Sequence, residues 1–313
     1  MRARRLAAFA QRHGALLMVM VLLTFGGAQV TGFLTGENLG AMAVRASFLA
    51  IVALGLTFVI VSGGIDLSIG AVYSLCGVLA AYSSRWGSAA ALAVPVAVGL
   101  AFGLVQGWLI GKLRLASFIV TAGGLLFAHG LVLFITAEGQ ETFTVPKGST
   151  FLELGHGAVP VVVTIVLYLL GGVLLQRTPF GLRLFAIGSS EDASRLMGLP
   201  VAGTKIAVYA VSGLLAGLTG ALSTAQAGTG VTTIGLGVEL AAIAAVVLGG
   251  TVLAGGSGAV SGTLAGVVLL GLVHGLLTHT RDLSTSMHAL VSGTTLLVVL
   301  VVQALLSRAR NTD

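Results

Sequence analysis

The sequence predicts an all-α, polytopic membrane protein with about ten transmembrane helices, an inverted repeat and broken helices. The first reason is composition: of 313 residues, 56% are hydrophobic and 8% are charged, whereas soluble domains carry about 25% charged residues. The second is that the apolar stretches leave room for about eight to ten helices of roughly 20 residues, the length that crosses a bilayer. The third is a Gly-rich segment with one carboxylate, which predicts a break between two of these helices.

The Gly-rich break covers residues 60–71 and contains Asp66. Lipid tolerates neither a charge nor unpaired backbone, so the break is predicted to line a cavity or to be tightly capped. As a cap, the Asp66 carboxylate would accept the N–H groups of Ser68 or Ile69 at the positive end of the next helix. As a site, it would bind a ligand or a proton. The absence of a second acid or base in nearby spans favours the cap, and both roles are compatible if the capped break lines a pathway.

Ten apolar segments are predicted to span the membrane, and the first is expected to be retained because no clear cleavage site for a signal peptide follows it. They cover approximately residues 14–34, 41–61, 67–81, 89–110, 118–135, 159–175, 206–225, 240–253, 260–278 and 287–306. The connection between the second and third segments is only the Gly-rich break.

The basic residues predict the orientation of these spans. With the N-terminus inside, the cytoplasmic segments contain Arg2, Arg4, Arg5, Arg12, Lys112, Arg114, Arg177, Arg183, Arg195, Lys205, Arg308 and Arg310. The outside receives only Arg45, Arg85, Lys147 and Arg281. This asymmetry follows the positive-inside rule and predicts cytoplasmic N- and C-termini. The formal charge of +6 therefore reports topology and does not indicate a nucleic-acid-binding face.

Several kinds of chemistry are excluded by the residues present. Cys76 is the only cysteine, so the chain has neither an intramolecular disulfide nor a Cys-based metal cluster. His129 and His274 lack the spacing of metal-binding motifs, and no paired acids or Ser/His set indicates an intramembrane enzyme. No glycine segment continues into the Lys-Ser or Lys-Thr of a phosphate-binding loop. We therefore expect no metal, no directly bound cofactor and no catalytic site in this chain.

Two short matches indicate an internal repeat. Residues 103–109 resemble residues 271–277, and residues 61–64 resemble residues 247–250. The matches relate the fourth span to the ninth and the third region to the eighth. Copies five spans apart cross the membrane in opposite directions, as in the inverted repeats of many transporters.

The repeat predicts two halves, residues 41–137 and 206–306, with a transport path between their breaks. In this alignment Asp66 corresponds to Val252, so an acid is present in only one of the two breaks. The predicted path residues are Ser62, Gly63, Gly64, Asp66, Ser68, Gly249, Gly250 and Thr251.

The polar segment 176–204 is the main candidate for an organised cytoplasmic element. Ser190 precedes two acids suited to a first helical turn, and Gly198 and Pro200 end the run. A short amphipathic helix is thus predicted from about residue 191 to 197. Its apolar side consists of Ala193, Leu196 and Met197. A helix this short is unstable alone, so we expect it to dock on the membrane surface or in a groove of a partner.

Three segments of the sequence carry a family resemblance: residues 62–70, 185–198 and 238–251. They resemble the permease subunits of ATP-binding-cassette sugar importers of the ribose type, a group that includes ribose, xylose and galactofuranose permeases. The resemblance extends from about residue 50 to residue 306. The first segment is the longest and most specific of the three.

The resemblance implies a permease subunit that translocates a monosaccharide and pairs with a second permease copy or a paralogue. Two ABC ATPase subunits would bind below it and use ATP, and an extracytoplasmic sugar-binding protein would bind above it. The short helix of segment 176–204 would be the coupling helix seated in a cleft of the ATPase. The predicted coupling residues are Gly188, Glu191, Asp192, Ala193, Arg195 and Gly198.

The sequence is therefore interpreted as a single transmembrane permease domain, residues 1–313, in a bacterial cytoplasmic (inner) membrane. Its expected contacts are the subunits named above and membrane lipid, with no nucleic acid. The alternative from another functional class is an autonomous secondary transporter of a small polar solute that uses Asp66 as a proton or sodium site. Uptake by this polypeptide alone, dissipated by an ionophore, would distinguish that alternative.

Overall fold

The computed structural model describes residues 19–30, 32–279 and 293–294. The part of the chain that it describes is helical, with one isolated β-bridge between Thr144 and Thr229. The α-helices are α1 (Val19–Gln29), α2 (Gly36–Val61), α3 (Ile69–Ser83), α4 (Ser88–Gly111), α5 (Ser117–Ile135), α6 (Val159–Arg177), α7 (Pro179–Ser189), α8 (Glu191–Leu196), α9 (Val201–Ala227), α10 (Val238–Leu248) and α11 (Val260–His279). Two 3₁₀ turns, Ser84–Trp86 and Thr150–Gly155, complete them. The predicted all-α fold class is confirmed for these residues.

Five of the described helices, α2, α4, α5, α6 and α9, are long and apolar enough to cross a membrane. Helices α1 and α10 are apolar but shorter, and α11 is a shorter apolar helix by the same measure. The chain is thus a polytopic, helical membrane protein. The predicted span 287–306 lies outside the described residues, apart from residues 293–294, so the count of ten spans stays a prediction.

Helices α2 and α9 form the centre of the bundle. In their most apolar windows, 83% of the α2 residues and 72% of the α9 residues are buried, compared with 22%, 17% and 28% for α4, α5 and α6. The exposed side chains of the outer helices are mostly large and apolar, for example Phe134 and Leu169. Because lipid is as apolar as these side chains, the outer faces of α5 and α6 are suited to contact membrane lipid.

Glycines allow α4 and α3 to pack directly on the backbone of α9. A Cβ on Gly213 would overlap the carbonyl oxygen of Gly99 and lie 2.9 Å from the nitrogen of Gly103. A Cβ on Gly220 would lie 2.7 Å from the nitrogen of Gly77. Gly213 and Gly220 therefore let α4 and α3 approach the backbone of α9 closely, as small residues do at helix interfaces in membranes.

The boundaries differ from the predicted ones at two informative places. Helix α10 ends at Leu248, five residues before the predicted end of the eighth span, because a glycine turn follows directly. Residues 179–189 form α7. They lie in the predicted polar segment 176–204, where a helix was predicted only for about residues 191–197. Thr178 begins α7 by accepting the Gly181 N–H on its side-chain oxygen at 3.4 Å, with Pro179 at a position that needs no N–H partner.

Replacing Gly213 with Ala should destabilise the protein, because the new methyl group would overlap backbone atoms of α4. Overpacking of this kind costs typically about 1–3 kcal/mol. Gly172→Ala is the matched control, since a Cβ there meets nothing within 4 Å and Ala is the better helix former. Thermal unfolding in detergent should show a lower midpoint for Gly213→Ala only. Equal midpoints would contradict the close packing of α4 on α9.

Candidate translocation and coupling site

The chain has two Gly-rich breaks, the first at residues 60–71 after α2 and the second at residues 249–258 after α10. Both begin with the same capping turn. After α2, the N–H of Gly63 bonds the carbonyl of Ile60 at 2.9 Å, and the next N–H bonds the carbonyl of Val59 at 3.0 Å. After α10, the N–H of Gly250 bonds the carbonyl of Val247 at 2.9 Å, and the next N–H reaches back five residues at 3.2 Å. Gly63 and Gly250 both have left-handed backbone, with φ of 76° and 89°. This is the usual glycine C-cap of a helix.

The shared turn corrects the alignment of the two breaks by one residue. The sequence match paired Gly63 with Gly249, but Gly63 corresponds to Gly250 because those two residues carry the positive φ. Asp66 therefore corresponds to Leu253 and not to Val252. The position in the second break is apolar in either alignment, so the asymmetry between an acidic and an apolar break is unchanged.

The two breaks also lie side by side. The N–H of Gly256, in the second break, donates to the carbonyl of Val61 at the end of α2, at 3.0 Å. An inverted repeat would place corresponding turns on opposite sides of the membrane. It therefore does not account for this contact between the two breaks. The inverted repeat stays a prediction that depends on the match between residues 103–109 and 271–277.

Asp66 is buried, and its partners among the described residues are all hydrogen-bond donors. One carboxylate oxygen accepts the N–H of Ser68 at 3.0 Å and its hydroxyl at 2.6 Å. The other oxygen accepts the hydroxyl of Ser212, in the middle of α9, at 2.8 Å. The predicted hydrogen bond from the Ser68 N–H to the carboxylate is confirmed, although Ser68, and not Asp66, is the N-cap residue of α3. The carboxylate joins the start of α3 to α9.

Neighbouring side chains extend this polar cluster. The amide nitrogen of Gln106, on α4, lies 3.0 Å from the Ser68 hydroxyl. The carbonyl of Ile65 accepts hydrogen bonds from Thr121 at 3.3 Å and from the Tyr209 hydroxyl at 3.2 Å. Ser117 accepts the N–H of Ile65 at 3.3 Å. The backbone of the first break is thus paired by side chains of α5 and α9, as an apolar surrounding requires.

Sequence reasoning found part of this cluster. Ser68 was predicted as a partner of Asp66 and as a path residue, whereas Ser212 and Tyr209 were not predicted. The signal for Ser212 is weak, because a serine among small residues of an apolar helix also serves plain helix packing. Only the fold places it beside Asp66.

The hydrogen bonds of this cluster stabilise the fold around the first break. Among the described residues, Asp66 has no charged partner. The ion pairs that the structure describes both involve Glu191. In the same residues, no group of three or more His, Cys, Asp or Glu side chains is placed to hold a metal. The carboxylate therefore acts here as a hydrogen-bond acceptor, with three donors directed at its two oxygens.

The second break forms fewer side-chain hydrogen bonds than the first among the described residues. Thr251 is 2% exposed, and its hydroxyl has no hydrogen-bond partner among the described residues. The turn closes on itself, with the N–H of Val252 bonded to the carbonyl of Ser257 at 3.1 Å. Gly249 packs directly against Gly262 in α11. A buried hydroxyl without a partner costs about 1–3 kcal/mol, and the second break carries this cost at Thr251.

The polar segment contains the short helix that was predicted, now α8. The Ser190 side chain accepts the N–H of Ala193 at 3.3 Å, which confirms Ser190 as the cap. Gly198, with φ of 77°, ends the helix as predicted. Glu191 bonds both Arg195 and Lys205, so α8 is tied to the first turns of α9.

These two cations also change the acidity of Glu191. Partial burial raises the pKa of Glu191, but the hydrogen bonds and charges of Lys205 and Arg195 outweigh it and hold the pKa below its ordinary value. Glu191 is therefore ionised at neutral pH. Its lowered pKa adds stability above the ordinary pKa of a Glu, and that contribution is lost as the pH falls through the lowered value.

The apolar side of α8 faces away from the rest of the chain. Leu196 is 90% exposed and Met197 is 69% exposed, and Asp192 and Ala193 are exposed beside them. Ser194, on the opposite side, is fully buried. Large apolar side chains that are this exposed on a short helix indicate a surface that contacts something else.

Comparison with known proteins decides the family. Residues 38–300 match the family described as the permease component of branched-chain amino acid transport systems. The chain belongs to this family of transport permeases. No solved structure matches it.

Several relatives of this permease carry sugar-transport names. The ribose import permease protein RbsC of Escherichia coli K12 is 35% identical over 275 residues, covering 85% of this chain and 86% of the relative. RbsC of Bacillus subtilis is 33% identical over 308 residues, covering 96% and 94%. The L-arabinose ABC transporter permease protein AraH of Azospirillum brasilense is 33% identical over 270 residues, covering 84% and 78%. The resemblance to ribose-type permeases is confirmed.

Asp66→Asn and Asp66→Leu should separate the capping role of the permease carboxylate from a role of its charge. Asn keeps an acceptor for Ser68 and can donate to the Ser212 hydroxyl. Leu removes the acceptor of the Ser68 N–H and of the Ser212 hydroxyl, at about 1–3 kcal/mol each, while the Ser68 hydroxyl keeps Gln106 as a partner. We expect Asn to preserve most of the thermal stability and transport, and Leu to lose both. Loss of transport in a stable Asn variant would contradict a purely structural role for the carboxylate.

Thr251→Val should leave the permease as stable as before or more stable, because it removes a hydroxyl that has no partner and keeps the shape of the side chain. Thr263→Val is the matched control, since the hydroxyls of Thr263 and Thr57 bond each other at 2.8 Å. The control should lose about 1 kcal/mol of stability. Thermal unfolding of both variants in detergent measures the difference. A larger loss at Thr251 than at Thr263 would show that the Thr251 hydroxyl is paired after all.

Proposed function

We propose that this chain is the transmembrane permease subunit of an ATP-binding-cassette importer that translocates a monosaccharide. The observation that carries the proposal is the match over most of the chain to import permeases named for ribose and arabinose. The matching family is described by branched-chain amino acids, so the family alone does not select the substrate. The relatives and the chemistry of the interior favour a sugar.

The interior is suited to an uncharged solute. The buried polar side chains of the described residues are hydroxyls, with the amide of Gln106 and the carboxylate of Asp66 as the exceptions. An amino acid carries two charges that need counter-charges in a membrane, and Asp66 is already engaged by three hydroxyl and amide donors. A sugar needs hydrogen bonds only.

The proposed path follows the paired breaks. Its residues are Ser62, Gly63, Gly64, Asp66, Ser68, Gly249, Gly250 and Thr251. The side-by-side position of the breaks supports this assignment, because backbone without regular helix is tolerated at membrane depth only where protein or a water-filled cavity surrounds it. The partly unsatisfied second break offers the hydroxyl of Thr251 to a passing solute.

Partner subunits would supply the energy. In the proposal, the ATPase uses ATP and receives α8 through its exposed apolar side, with Gly188, Glu191, Asp192, Ala193, Arg195 and Gly198 as the coupling residues. An extracytoplasmic sugar-binding protein would deliver substrate at the opposite end, and a second permease copy or paralogue would complete the pair. This chain itself would bind no cofactor.

The proposed topology is a single domain, residues 1–313, in the bacterial cytoplasmic membrane. It has ten spans, repeat halves of residues 41–137 and 206–306, and cytoplasmic N- and C-termini. The asymmetric distribution of basic residues supports this orientation. It places α8 on the cytoplasmic side, where an ATPase would reach it.

Uptake by a reconstituted complex tests this function. The tagged chain would be purified with the ATPase and binding protein that accompany it, and placed in proteoliposomes with ATP. We expect ATP-dependent uptake of radiolabelled ribose or arabinose, and no uptake of leucine. Uptake by this polypeptide alone, driven by a proton or sodium gradient, would overturn the proposal and favour a secondary transporter.

The exposed side of α8 can be tested separately with Leu196→Asp. A charge at this position should reduce binding of the ATPase about tenfold or more, since it would bury an unpaired carboxylate in the interface. Leu182→Asp, at a Leu of α7 that is 70% exposed, is the matched control and should bind normally. Co-purification of the ATPase measures both. Unchanged binding by Leu196→Asp would contradict the docking role of α8.

A further inference from the structure

Three segments of the chain meet through their backbones at one place, which we call the backbone junction. It consists of Val61 and Gly63 from the first break, Gly188 and Ser189 from the end of α7, and Gly255 and Gly256 from the second break. The hydrogen bond between the Gly256 N–H and the Val61 carbonyl, at 3.0 Å, joins the two breaks. The end of α7 lies against both of them.

Three glycines of the junction, Gly188, Gly255 and Gly256, have no room for a side chain. A Cβ on Gly255 would lie 2.8 Å from the Cα of Gly63 and 3.0 Å from the carbonyl oxygen of Gly188. A Cβ on Gly188 would overlap the carbonyl oxygen of Val61 and the nitrogen of Gly256. Interfaces packed this closely do not deform continuously and respond to displacement by moving as units.

The junction is also directly connected to the coupling segment. Gly188 and Ser189 are the last residues of α7, and Ser190 is the cap of α8. Glu191, the first residue of α8, bonds Arg195 and Lys205. No flexible linker separates α8 from the junction, so a displacement of α8 reaches Gly188 within three residues of chain.

The two breaks would respond differently to such a displacement. The first is fastened to α4, α5 and α9 through Asp66, Ser68 and Ile65. The second has no comparable set of side-chain bonds among the described residues, and its buried Thr251 hydroxyl lacks a partner there. With fewer side-chain bonds to neighbouring helices, the second break is the one that such a displacement shifts at lower cost.

We propose that the backbone junction is the mechanical link of this transporter. Displacement of α8 by the ATPase shifts Gly188 and Ser189 against the breaks, and the second break with α10 and α11 moves relative to the fastened first break. Gly188 acts as a positioning residue that couples ATP hydrolysis to opening of the path. This inference rests on the proposed function and adds to it the route of coupling.

Gly188→Ala tests the link by adding one methyl group at the point of closest contact. The expected result is a fall in sugar uptake of about tenfold or more, because the methyl group would overlap the carbonyl oxygen of Val61. Gly203→Ala is the matched control: it adds the same group near the start of α9, where a Cβ meets nothing within 4 Å. Its uptake should stay within about twofold of the wild type.

A measurement on the unmodified complex covers the case in which Gly188→Ala does not fold. Hydrogen–deuterium exchange of the wild-type complex would be compared with and without a non-hydrolysable ATP analogue. Exchange over residues 249–258 should change with the nucleotide, whereas exchange over residues 60–71 should stay the same.

The outcomes separate the two proposals. Normal uptake by Gly188→Ala, or unchanged exchange over residues 249–258 in a complex that transports, would overturn the junction and leave the proposed function intact. Equal changes in the two breaks would also overturn it, because the first break would then not be the fixed element. Failure of wild-type uptake would overturn the proposed function and the inference with it.

Discussion

The Asp66 carboxylate is the group on which the first break depends. A chain that leaves a helix inside a membrane exposes backbone groups that lipid cannot pair. Asp66 pairs the N–H at the start of α3 and simultaneously accepts the hydroxyl of Ser212 on α9. Through these hydrogen bonds, the first break joins the start of α3 to α9 at the centre of the bundle. A buried charge is costly, and here it is offset by three hydrogen bonds.

The second break has the same glycine turn but no acid, and this difference gives the two breaks different mechanical properties. The first is fixed to three neighbouring helices, whereas the second is closed mainly on itself and packed on α11 through Gly249 and Gly262. An alternating-access transporter needs one element that stays and one that moves. In the proposed route of coupling, the distribution of hydrogen bonds assigns the fixed role to the first break and the moving role to the second.

The sequence was sufficient for features that depend on local chemistry. Composition predicted the membrane class, and glycine and serine positions predicted the end of α2 and the cap of α8. The Asp66 bond to Ser68 followed from spacing alone. Contacts between distant segments were not predictable: the meeting of Gly63, Gly188 and Gly255 depends on backbone approach, which leaves no signal other than glycine itself.

One misalignment and one helix that was not predicted have the same physical origin. The sequence match paired Gly63 with Gly249, since Gly-Gly pairs look alike, but the positive φ falls on Gly250. Residues 179–189 belong to the predicted organised segment 176–204, but no helix was predicted there because their hydrophobic pattern is short; Thr178 and Pro179 together begin one. In both cases backbone geometry, which a sequence encodes only through a few residues, decided the result.

Hydrogen–deuterium exchange of the protein in lipid nanodiscs tests most directly whether the first break is a fixed element. The account predicts that peptides covering residues 60–71 exchange as slowly as the buried centre of α2, despite three glycines among those residues. It also predicts faster exchange over residues 249–258. Fast exchange of the first break, or equal exchange of the two, would contradict the central claim that Asp66 holds one break in place while the other is free to move.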